Sequence, residues 1–153
     1  MNKDSYETLK KKHPQLPQFE QINSEFEILT IEKEEFLLRE IKRKIGEKIE
    51  PVLELLERLI VPDGNSFTDL HECQCYTKQE KKQILDVFRK LMQQHRMLLH
   101  SDLILEDEND ALLISKITED WKTARKEIAP LIKKLSECWE RTVEPSQIVE
   151  YFG

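Results

Sequence analysis

Leu38, Ile41, Ile45, Ile49, Val52, Leu56 and Leu59 follow one another at steps of three and four. Only an α-helix brings residues at that spacing onto one face, so the stripe predicts a helix over roughly residues 31–60, ~45 Å long at 1.5 Å per residue. Leu37, Leu53, Leu55 and Ile60 widen the face until it is broad enough to touch two neighbours. Pro51 falls inside the pattern, where it removes one amide donor and is expected to kink the helix rather than end it.

Two more stripes follow. Ile84, Phe88, Leu91, His95, Leu98, Asp102 and Leu105 predict a second long helix. Its start is marked by Thr77 and Glu80, at the spacing of a capping box. Ile114, Ile117, Trp121, Ala124, Ile128, Leu131, Leu135 and Cys138 predict a third, with a second kink at Pro130. Residues 61–66, VPDGNS, stop the first long helix with turn formers. Residues 106–110, EDEND, form a connection so short that the third helix must return antiparallel to the second.

Before these helices, prolines punctuate two short ones. Ser5 is a candidate cap for the first, which ends before Pro14; Phe19, Ile22 and Phe26 form the inner face of the second. The expected fold is all-α: an elongated antiparallel bundle of three long helices with the short N-terminal helices packed alongside, and no strands. One domain is expected over residues 1–153, with short helices over 1–29, the bundle over 30–143 and a C-terminal tail over 144–153. Composition agrees, since 35% charged residues with only 3 glycines suit long helices and 39% hydrophobic residues exceed what a disordered chain carries.

Several function classes are disfavoured. A net charge of −6 argues against nucleic acid, which needs a basic surface. The basic run at residues 41–44, IKRK, is interleaved with glutamates and reads as a mixed solvated face. No segment approaches the ~20 apolar residues of a membrane span, and no secretory signal is visible. Three glycines cannot build a phosphate loop, and no Glu-x-x-His pair occurs to hold a di-iron centre. Glutamate pairs three apart, such as Glu47 and Glu50, alternate with lysines and read as solvated surface. Three cysteines without a secretory signal suggest reduced thiols in the cytoplasm.

Two functional expectations remain. The first is a non-catalytic cytosolic interaction or scaffolding module, a homodimer or a binder of another protein, using Val52, Leu53, Leu55, Leu56, Leu59 and Ile60. The second starts from residues 71–77, HECQCYT. A hairpin turning near residue 108 pairs Phe88 with Ile128, His95 with Trp121 and residue 78 with Cys138. Cys138 therefore approaches His71, Cys73 and Cys75, and one histidine with three cysteines can supply a tetrahedral zinc shell or a thiol-redox site. In an extended segment positions 71, 73 and 75 share one face, so inward packing of small apolar thiols is the plainer reading. His95, which interrupts an apolar seam, reads as a buried histidine stacked on Trp121 with one ring nitrogen hydrogen-bonded. No cofactor is expected, zinc being the one metal that the second reading would bring.

Overall fold

A computed structural model describes residues 1–104 and 106–140. The expected tail over 144–153 and Leu105 lie outside the described residues. The chain is all-α, and the described residues contain no strand. Its helices are α1 (Lys3–Lys12), α2 (Phe19–Phe26), α3 (Leu37–Ile60), α4 (Phe67–Gln74), α5 (Lys78–Ile104) and α6 (Asp107–Glu140), with a 3-10 turn at Ile28–Thr30. No helix among the described residues is long and apolar enough to cross a membrane.

The first and third stripes supply most of the core. Leu38, Ile41, Ile45, Ile49, Leu56 and Leu59 are buried on α3, and every residue of the α6 stripe is buried. Helix α3 begins at Leu37, six residues later than expected, and both α3 and α6 run on through Pro51 and Pro130. Helices α5 and α6 lie antiparallel: Lys134 near the end of α6 pairs with Glu80 in the first turn of α5, while Gln94 further along α5 donates to Asp120 at 2.8 Å. The acidic run is not a separate connection. Asp107, Glu108 and Asp110 sit in the first turn of α6, where carboxylates complement the positive end of the helix dipole.

The buried face of α5 differs from the expected one by a residue at alternate steps. Ile84, Val87, Leu91, Gln94, Leu98 and Ser101 face inward. His95 is therefore only half-buried, and its Nδ1 finds no hydrogen-bond partner. Trp121 packs toward α2, with its ring 6.1 Å from that of Phe26 and its indole N–H donating to the buried Glu25. Glu25 also pairs with Arg125. These contacts dock the N-terminal layer on α6, and Phe19, Ile22 and Phe26 are buried as expected. Asn2, not Ser5, caps α1 by accepting from the Ser5 amide.

Gly46 lies mid-way along α3, and a Cβ added there would meet nothing within 4 Å. Alanine removes backbone freedom from the unfolded chain without a clash, so Gly46→Ala is expected to raise stability by about 0.5–1 kcal/mol. Urea denaturation of the two proteins checks this.

Candidate thiol site at the junction of α4 and α5

The turn at residues 61–66 leads into a helix, where an extended segment is expected from sequence. Asp63 accepts from the Asn65 amide to close a tight turn. Ser66 then caps α4 by accepting from the Asp69 amide at 3.2 Å, and the Asp69 carboxylate reaches back to the Asp63 amide at 3.2 Å. Helix α4 runs only to Gln74 before Thr77 opens α5. There the capping box forms in both directions, Thr77 N–H to Glu80 at 2.7 Å and Glu80 N–H to Thr77 at 3.2 Å.

Helical geometry at α4 corrects the expected ligand set. His71 and Cys75 are four apart and share a face, whereas Cys73 is turned away. Cys73 is a buried free cysteine whose Sγ accepts from Lys81 Nζ at 3.1 Å. His71, Cys75 and Cys138 do come together: Nε2 of His71 is 3.5 Å from Sγ of Cys138, and the three ligand atoms lie within 4.8 Å of one another. Cys75 and Cys138 are joined as a disulfide with a Cα–Cα distance of 6.2 Å, inside the range such a bond spans. The expectation of three reduced thiols thus does not hold for this pair.

The site is held from three sides. Tyr76 donates its phenol to the Leu131 carbonyl at 2.7 Å, and burial, reinforced by Glu72 and Glu80, pushes that phenol up from its ordinary value. Lys134 gives Glu80 two bonds of 2.7 and 2.8 Å. Trp139 donates to Glu72 at 2.9 Å. The imidazole of His71 lies 4.6 Å from the Trp139 ring and stacks on Phe67 at 5.8 Å, which fixes its plane. Cys138 is buried while Cys75 and His71 are half-buried, so solvent reaches the site from the α4 side.

Lys134, followed by the Thr77 amide, holds the Glu80 carboxyl down at about 2. A carboxyl depressed in the folded state stabilises above its unfolded value and loses that contribution as pH falls toward the folded one. Glu80 and Lys134 are each about a quarter to a third exposed, so screening leaves about 1 kcal/mol. Glu80→Gln is accordingly expected to lose about that much at neutral pH, and to show a shallower stability loss between about pH 4.5 and pH 2 than the parent in urea titrations.

The expected interaction residues are differently placed. Leu53, Leu56 and Leu59 are buried in the chain's own core, and Val52, Leu55 and Ile60 are half-buried against it. Exposed apolar side chains gather instead at the other end of the α5–α6 hairpin, at Leu99, Leu103, Ile104 and Leu112. No family model, no curated protein and no solved structure matches this chain.

Proposed function

We propose that the protein is a helical thiol switch in which Cys75 and Cys138 alternate between a dithiol and a disulfide. The observation that carries this reading is the meeting of the two sulfurs and His71 at the junction of α4, α5 and α6. Cys75, the more exposed sulfur, attacks an external low-molecular-weight disulfide and releases one thiol. Cys138 then attacks Sγ of Cys75 in the mixed disulfide and releases the second. Two protein thiols are oxidised, one disulfide is reduced to two thiols, and His71 Nε2 beside Cys138 can take the resolving thiol's proton. Sγ of Cys75 lies 3.3 Å from the His71 carbonyl in the disulfide-bonded structure, which offers its thiol an acceptor once the bond is reduced.

Equilibration in glutathione buffers with thiol counting by mass spectrometry tests this. A reversible switch is half-oxidised between about −200 and −300 mV, and a midpoint below about −300 mV makes the bond a permanent staple instead. Cys73 should stay unreacted throughout.

A second reading, an interaction module that self-associates or binds another protein, is favoured by the apolar end of the hairpin, where Leu103 is 83% exposed. That patch borders a cavity of about 360 Å³ lined by Met97, Ile104, Leu112 and Leu113 among others. Light scattering across micromolar concentrations tests the self-associating form; a monomer throughout removes it.

A further inference from the structure

We propose that the reduced site binds one soft divalent cation, zinc, through Cys75 Sγ, Cys138 Sγ and His71 Nε2, and that the disulfide excludes it. The inference rests on the thiol-switch reading, because the same two sulfurs serve both states. Three features of the site point to a metal rather than to a dithiol alone. Its donors are two thiols and an imidazole, the softness and ligand types that select zinc over magnesium or calcium. They come from α4 with its C-cap and from α6, far apart in sequence, yet their ligand atoms fall within 4.8 Å of one another. A tetrahedral ion with bonds of about 2.0–2.3 Å holds its ligands about 3.3–3.8 Å apart, so opening the disulfide and a side-chain shift of about 1 Å place all three around it. The third is His71 itself. Phe67 and Trp139 lock the ring with Nε2 toward Cys138, so the imidazole that can serve the resolving thiol as a base is also held as a ligand must be.

Cys73 is excluded from the set. It sits two residues from His71, on another face of α4, with its sulfur on Lys81. The described residues therefore supply three ligands, and a tetrahedral ion there would keep one position open on the half-buried side formed by His71 and Cys75. That arrangement is an open site, accessible to a small thiol or to water, rather than a closed structural one.

Loading and oxidation compete. Zinc binding replaces two thiol protons, which are released as the bis-thiolate forms. A low-molecular-weight disulfide then converts the two zinc-bound thiolates into the Cys75–Cys138 bond, leaving two small thiolates and a free zinc ion. Charge and electrons balance, and the metal leaves because a disulfide sulfur carries no thiolate charge to hold it. Oxidation of this protein would thus be read out as zinc release.

The test titrates the full chain, reduced and held anaerobically, with Co²⁺ alone and then with Zn²⁺. Expected are one cobalt per chain with the visible bands of a tetrahedral site and thiolate-to-metal charge transfer, loss of these bands on adding one equivalent of Zn²⁺, and none in the oxidised protein. Cys73→Ser should leave the titration unchanged. Cys75→Ser and Cys138→Ser should each abolish the charge-transfer band at one equivalent, and His71→Ala should weaken binding tenfold or more. Circular dichroism checks that each variant is folded. No tetrahedral cobalt in the reduced parent overturns the inference, as does a titration equally strong without Cys138. Thiol counting on the same samples separates the two proposals: a pair that cycles but takes no cobalt defeats only the metal site. A pair that takes cobalt but does not re-oxidise defeats the switch and, with it, zinc release on oxidation.

Discussion

Replacing Lys42 by methionine is expected to lower the free energy of unfolding by about 3–5 kcal/mol. Lys42 lies on α3 beside Ile41, and its side chain is 2% exposed. Its ammonium reaches three groups at once: Asp102 at 2.7 Å, Asp110 at 2.9 Å and Ser101 at 3.0 Å. Asp102 is half-exposed and can turn to water when the lysine is gone. Asp110, 7% exposed, cannot. Its other carboxylate oxygen is already buried without a hydrogen-bond partner, so methionine would leave a buried anion with no cation. Methionine fills a similar volume, so packing loss is a minor part of the effect. The double variant Lys42→Met, Asp110→Asn should therefore recover more than half of the loss, whereas Asp102→Asn alone costs about 1 kcal/mol or less. Urea unfolding of the three variants checks this. A loss under about 1 kcal/mol for Lys42→Met would mean that water enters and solvates Asp110.

That ion cluster also shows where the sequence stops being legible. Residues 41–44 read as solvated charge because a helical pattern alone does not say how wide the buried face is. Lys42 becomes interior only because the end of α5 and the start of α6 meet over it, bringing Asp102 and Asp110 from 60 or more residues away. The same limit explains α5. The expected stripe through Phe88, His95 and Asp102 and the buried one through Val87, Gln94 and Ser101 interleave at steps of three and four. Either fits the period, and packing against α3 chooses between them. The helices themselves were legible because their periods repeat over six or more turns. Helix α4 has eight residues, the length of α2, but its buried positions are Asp69 and Cys73 rather than an apolar stripe; even so, Ser66 and Asp69 stand at the same spacing as Thr77 and Glu80. That cap was the available signal. Without that cap residues 71–75 read as extended and Cys73 falls among the ligands, although the hairpin register alone carries Cys138 to the right place. The broad α3 stripe likewise reads as an interaction face from sequence, because nothing in the period signals α4, which packs against it.

Reduction of the Cys75–Cys138 bond, or Cys138→Ser, is expected to lower stability by about 2–4 kcal/mol. The cysteines are 63 residues apart, so the bond removes a large loop from the unfolded ensemble, worth ~4 kcal/mol on chain entropy alone. The measured value should fall below that ceiling, because α5 and α6 adjoin through a short connection and their residual pairing shortens the effective loop. Where the loss appears matters more than its size. Cys138 lies in the last described turn of α6, anchored otherwise by Tyr76 on Leu131, Glu80 on Lys134 and Glu72 on Trp139. Two of those three bonds end on side chains open to water, so the reduced protein should fray from that end first. Hydrogen exchange should then accelerate over residues 132–140 on reduction while amides around Ile41 and Ile45 in α3 hold their protection. Adding zinc to the reduced protein should restore protection in the same segment, since a ligand that binds only the folded junction stabilises it by RT ln(1 + [L]/Kd). Equal exchange in oxidised and reduced protein would mean that the three anchors suffice without the bond. The thiol pair would then change its chemistry without changing the fold, and a switch would have to act through the metal or through the exposed face of His71.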